Sequence, residues 1–339
     1  MKRGVQAIRL AYFGKLPACA DFVKVSDEPE LVALLDSWLA ESMNLLSVSP
    51  RWKLHYDALA PLQFAFVGTR SRRAIGGCMA ASCDLSQRRY PFIGMGAVTV
   101  DAPADSFLAL SSLTFAPLWQ ALAAPVAGVL AATATQPVLH ALSATTIELD
   151  PGAAQQEIVF MEFLDRHTLA ELEALLGRVA IRRTILALGL LLRPVRANSA
   201  GVLGADRSLL LPLPDPLADA SNGQAARWLV AAFWLDLLAP FIAPYDVELV
   251  LLFVTLQGRP ALVIGFRGAA PETLQAVIDP EWSAEHLVSF DDTEWIDTLV
   301  AVDARVHTLA AYLEQGQLSL RSARELFHET FNPPAPEGY

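Results

Sequence analysis

Cysteine is scarce. Three occur in 339 residues, Cys19, Cys78 and Cys83; no two form a C-x-x-C pair, and one is left over after any pairing. A disulfide framework is excluded, and a reducing cytoplasm is the expected setting. The six histidines (His55, His140, His167, His286, His307 and His328) are scattered, and none has a second histidine or a cysteine at metal-ligand spacing. The sequence contains no phosphate-binding G-x-x-x-x-G-K-[ST], no H-E-x-x-H, no G-x-S-x-G and no calcium loop. "GMG" at 94–96 lacks the third glycine of a dinucleotide fingerprint. No catalytic residue, cofactor site or metal site is expected, and a binding protein outranks an enzyme.

Basic charge is also short. A net charge of −11 argues against a general binder of nucleic-acid phosphates. Uninterrupted apolar runs of membrane length are missing too. "WLVAAFWLDLLAPFIAPY" (228–245) is broken by Asp236 and Pro240, and "ILALGLLL" (185–192) falls short of the ~20 residues that span a bilayer. Both read as buried core helices. The opening "MKRGVQAIRLAYFGK" has only a short apolar stretch, with Arg9 inside it and no small-residue cleavage site, so no signal peptide is expected.

With 53% hydrophobic and 18% charged residues, the chain can bury large cores. Its length favours two domains. "IRLAYF" (8–13) reads as a strand ending at Gly14. Pro29 opens a helix in which Leu31, Leu34, Leu35, Trp38, Leu39 and Leu45 recur at helical spacing. Strands are expected over 62–67, 74–82 and 92–100, with Gly76–Gly77 and Gly94–Gly96 allowing strands to approach closely. Asp105 and Ser106 start a helix that Pro117 should end or kink. Periodicity is lost over 133–157, which places a boundary near residue 150.

Beyond it lie a helix over 168–192, a proline-broken strand and the apolar helix around Trp228. A hairpin (247–255 and 260–266) follows, then two tail helices, about 292–314 and after Ser319. His328 reads as a surface residue at the end of the last helix. The expected architecture is α/β in two domains: 1–150, a mixed sheet flanked by helices, and 151–339, α/β with a strand hairpin and several helices.

One stretch stands out: "YFGKLPACADFV" (12–23). Gly14 allows an unusual backbone angle, Pro17 stiffens the loop and Asp21 fixes its far end. A shaped strand-to-helix turn, a binding surface that includes Lys15, and a catalytic loop are all open readings. Asp21 is expected to bond backbone or to pair with Arg88 or Arg89, holding the two motif loops together. Lys15, Arg72, Arg73, Arg88 and Arg89 are the candidates for a basic patch.

These residues carry a resemblance. Gly14, Lys15, Leu16, Pro17, Asp21, Phe22 and Val23, then Asp36, Trp38 and Leu39, then Asp84, Arg88, Tyr90 and Pro91 beside Arg89 resemble the TagF (ImpM) family of type VI secretion accessory proteins. The motifs span roughly residues 8–130, and "GRPALVIGFRGAAPETLQAVID" resembles the family's C-terminal part more loosely. Two positions depart from the family pattern: Ala20 and Gln87 stand where it has glycine. The resemblance implies an α/β first domain. It also implies a cytoplasmic, non-enzymatic, post-translational repressor of type VI secretion that binds apparatus components, with a forkhead-associated scaffold as partner. A structural baseplate subunit is the alternative, and an enzyme with a dispersed site the third. Some relatives are fused to a metal-dependent phosphatase; no such Asp-Gly motif occurs in this sequence, so that activity is not carried over.

Overall fold

A computed structural model describes residues 4–100, 105–152, 154–178, 180–197, 207–215 and 223–333. The chain opens with β1 (Gln6–Arg9), β2 (Ala11–Gly14) and β3 (Val23–Val25). Helices α1 (Pro29–Leu46) and α2 (Trp52–Asp57) lead to β4 (Leu62–Gly68), β5 (Arg73–Ala80) and β6 (Phe92–Thr99). Then come α3 (Asp105–Ala131), α4 (Thr135–Ala144), β7 (Thr146–Leu149), α5 (Ala154–Arg166), α6 (Leu169–Leu176) and α7 (Ile181–Ala197). Strand β8 (Ser208–Pro212) precedes α8 (Gly223–Ile242) and the hairpin β9 (Glu248–Leu256) and β10 (Arg259–Gly265). The tail carries α9 (Pro271–Ile278), α10 (Pro280–His286), β11 (Leu287–Ser289), α11 (Ile296–Val302), α12 (Ala304–Leu313) and α13 (Leu320–Phe331).

Among the described residues nine strands form one mixed sheet, in the order β11-β8-β10-β9-β4-β5-β6-β2-β3. All its pairs are antiparallel except β11 with β8. The central strands are apolar on both faces because helices cover both. Leu249, Leu251 and Phe253 of β9 face the layer holding α3 and α8, and Val250, Leu252 and Val254 face the layer holding α1 and α9. The mixed α/β class expected from the sequence is the one observed.

The boundary near residue 150 falls between β7 and α5, but the sheet runs across it. Strand β9 of the second half pairs with β4 of the first, from Gln63↔Phe253 to Gly68↔Glu248. Trp119 of α3 lies 4.7 Å, centroid to centroid, from both Trp228 and Phe253, and donates its Nε1–H to the Phe64 carbonyl at 3.0 Å. Both hydrophobic clusters draw on both halves.

Several local expectations change. Helix α3 does not stop at Pro117; it continues through Pro117 and Pro125 to Ala131. Pro117 is exposed, while Phe115, Leu118, Trp119, Leu122 and Val126 are buried against the sheet, and that packing outweighs the missing N–H. The glycines make room mainly for this helix. A Cβ on Gly76 would come 2.5 Å from the Phe115 ring, and one on Gly94 2.9 Å from Leu122 Cδ2. Gly77 matches the strand-to-strand reading, 2.5 Å from the Gly94 carbonyl oxygen, and Gly96 makes room for Ile8 of β1 at 2.8 Å.

Residues 135–144 are helical where loss of periodicity was expected. The long helix over 168–192 is two, divided at Gly177, whose φ of 59° ends α6. The tail helix over 292–314 is likewise divided by Asp303, which caps α12.

Two helical segments, Phe107–Ala131 and Gly223–Ile242, are long and apolar enough to cross a membrane by length and composition. Most of α8 is buried inside the protein, as an all-round apolar helix must be in a packed core. Its Asp236 accepts from Arg324 Nε at 2.5 Å and Nη2 at 3.0 Å, with His328 Nε2 at 3.7 Å. His328 is therefore a partly buried neighbour of a core carboxylate, not a surface residue. The helical spacing of α13 turns it inward together with Arg324.

Candidate functional site

Residues 15–22 leave β2 and return in β3, which pairs back on β2 with Tyr12 opposite Val25 and Gly14 opposite Val23. The stretch is thus a hairpin loop rather than a strand-to-helix turn, and α1 follows only at Pro29. Gly14 has φ of 138°, and a Cβ there would lie 2.2 Å from the Pro91 carbonyl oxygen. Only glycine fits.

A second loop, residues 81–91, crosses beside the first. Leu85 N–H donates to the Cys19 carbonyl at 2.8 Å, and Ser82 Oγ donates to the Lys15 carbonyl at 2.7 Å. Tyr56 holds the start of this loop twice at Ser82: its hydroxyl donates to the Ser82 carbonyl at 3.0 Å and accepts the Ser82 N–H at 2.9 Å.

Asp84 is the centre of the site. Its side chain is fully buried. One oxygen accepts Lys15 Nζ at 3.0 Å and Arg88 Nε at 2.7 Å, while the other accepts the N–H groups of Ser86 and Arg88 at 2.9 and 3.0 Å. Burial alone would push this carboxyl up. The Arg88 backbone N–H and the Lys15 and Arg88 side chains more than offset it and hold the group well below the usual carboxylate range. Arg88 reaches on with Nη2 to the Ala20 carbonyl at 3.2 Å.

An aromatic cluster lies over the ion pairs. Lys15 Nζ is 5.0 Å from the Phe22 ring centroid. Phe22 stacks on Phe13 at 5.4 Å and meets Tyr90 edge-on at 4.9 Å. The Tyr90 hydroxyl donates to Asp36 Oδ1 at 2.5 Å; burial first, and then this carboxylate, push the Tyr90 hydroxyl up. Trp38, two residues on, is buried against Phe66, ring to ring at 5.0 Å. The motif residues Gly14, Lys15, Asp36, Asp84, Arg88, Tyr90 and Pro91 thus meet in one place, although they come from three separate stretches of chain, whereas Leu16 packs in the layer of α3 and α8 and Trp38 in the opposite one.

One expectation holds in part and another fails. Asp21 bonds backbone as expected, its Oδ1 accepting the Phe22 N–H at 2.8 Å, but among the described residues it is exposed, Arg88 pairs with Asp84 and Arg89 with Asp57, and Asp21 does not join the loops. Asp84 takes the bridging role because it is buried between both loops, where its charge is worth more. Nor do the cations form one open patch. Lys15 is only 8% exposed and held by Asp84; Arg73 pairs with Glu28; Arg89 makes two bonds to Asp57, at 2.7 and 2.6 Å. Tyr56, Ser82 and Asp57 were not visible in the sequence, since none stands in a recognisable spacing.

The loops do leave an exposed tip. Pro17, Ala18, Ala20 and Asp21 are exposed, Phe22 is 41% and Leu85 64% exposed, and the Arg88 side chain is 63% exposed. Among the described residues, no cluster of three or more His, Cys, Asp or Glu could hold a metal ion.

Comparisons with known proteins bear on the first half of the chain. Residues 11–144 match the TagF N-terminal domain, described as type VI secretion system-associated. No curated protein matches the chain. Among solved structures, PA0076 from Pseudomonas aeruginosa PAO1 is similar at 19% identity with a TM-score of 0.34. That match covers 40% of this chain and 61% of PA0076, so the chain spans less than two thirds of that protein. The stretch matched to the TagF N-terminal domain, residues 11–144, contains every motif residue of the braced loops, so it is this part of the chain that is similar to that type VI secretion-associated domain.

Proposed function

We propose that this chain is a regulatory component of bacterial type VI secretion that acts by binding, restraining assembly or firing of the apparatus from the cytoplasm. The match of residues 11–144 to the TagF N-terminal domain carries this reading. The geometry supports it in one respect. The charged motif residues bond to one another and to backbone, so their role is to hold two loops in a fixed shape, and a fixed shape is what recognition requires. Lys15 has no free ammonium with which to act as a base or nucleophile while Asp84 holds it.

The reading includes a scaffold or apparatus protein as partner, a forkhead-associated scaffold being the first to test. Deleting the gene in its host should leave secretion intact or raise it, and the scaffold should co-purify with the tagged full chain. Secretion lost on deletion would instead assign the chain to the structural baseplate.

A further inference from the structure

The proposed regulatory role requires a surface, and the loop tip differs in charge from the rest of the chain. Residues 15–24 and 84–88 contain Lys15, Lys24 and Arg88 against Asp21 and Asp84, in a protein whose net charge is −11. Two of these cations share the single buried carboxylate of Asp84, so positive charge is left over at the exposed Arg88.

That arginine is already ordered. Its Nε is held by Asp84 and its Nη2 by the Ala20 carbonyl, so binding need not immobilise it. Phe22 is equally fixed, stacked on Phe13 and edged by Tyr90. Leu85 stands beside them, 64% exposed, with its own N–H bonded to Cys19 across the loops. An ordered arginine beside an exposed phenylalanine brings together two residue types enriched at protein interfaces.

We propose that this tip is a docking surface for an acidic segment of a partner protein that carries apolar side chains between its carboxylates. Arg88 takes a carboxylate, and Phe22 and Leu85 take the apolar groups. The proposal rests on the regulatory reading, and the test separates the two.

The probe is a fluorescein-labelled peptide of alternating glutamate with phenylalanine and leucine; its counterpart has lysine for glutamate. Fluorescence anisotropy with the full chain should give binding at least tenfold tighter for the acidic peptide, weakening with added salt. Leu85→Asp should weaken it at least tenfold, whereas Leu85→Arg should keep it. The Leu85 side chain takes no part in the bracing, so both variants should melt like the parent. Equal binding of the two peptides, no binding of the acidic one, or indifference to Leu85→Asp overturns the surface. In the host, if deletion raises secretion but Leu85→Asp represses as the parent does, the surface falls and the regulatory reading stands. If deletion abolishes secretion, the regulatory reading itself falls.

Discussion

Gly14 and Gln87 both sit at positive φ, 138° and 63°, yet only one of them is a glycine. At Gly14 a side chain would also collide with Pro91. Gly14→Ala should therefore destabilise by about 2–3 kcal/mol, the scale of a strained backbone position, read in a denaturant melt. At Gln87 the left-handed backbone costs about 1–2 kcal/mol, and a glycine would give back part of that through its freer unfolded chain. Gln87→Gly should raise stability by roughly 0.5–1 kcal/mol, and an unchanged midpoint would contradict it.

Ala20, the other departure from the family glycines, is not among the positive-φ residues, so alanine fits there without strain. Asp84 makes a pH prediction. Its native pKa lies below the unfolded value of about 3.9, so its contribution is full above that value and is lost as pH falls through the lower native one. Acid titration of the parent should show stability falling below about pH 4, with a shallower fall in Asp84→Asn. Equal slopes would remove Asp84 from the account.

At the scale of elements, the long central strands were legible and the helix ends less so, while the single strand expected over 8–13 is β1 and β2, which lie in different sheets. Strands β4, β5 and β6 stand where their apolar runs and flanking turn residues place them. Pro117 was expected to end or kink α3 because proline disrupts helices in general, and the sequence does not show that Pro117 is exposed while Phe115, Leu118 and Leu122 pack against the sheet. The site was half legible. The motif residues were visible, but the acid that joins the loops was taken to be Asp21, since only the fold reveals that Asp84 is the buried one. Trp119 makes the test at this scale. Trp119→Ala removes a ring shared by α3, α8 and β9, and should cost about 3–5 kcal/mol in denaturant unfolding.

For the whole molecule, a boundary near residue 150 was expected from the loss of periodicity over 133–157, yet one sheet and both apolar clusters run across it. Whether each half folds alone is a different matter. A fragment 1–150 would expose the edge of β4 that pairs with β9, and would strip Trp119 of Trp228 and Phe253. It should lack a cooperative melt and aggregate, as long apolar edge strands do. A sharp thermal transition would show that the first half holds a core of its own.

The central claim is that the two motif loops form one unit joined by Lys15, Asp84 and Arg88, and amide hydrogen exchange on the full chain tests it directly. In Lys15→Met, which should cost up to about 3 kcal/mol by leaving Asp84 short of a partner, the account predicts faster exchange in both loops. The Leu85 amide bonded to Cys19 and the Arg88 amide bonded to Asp84 should speed up together with residues 16–22. Faster exchange confined to residues 16–22, with Leu85 and Arg88 protected as in the parent, would contradict it.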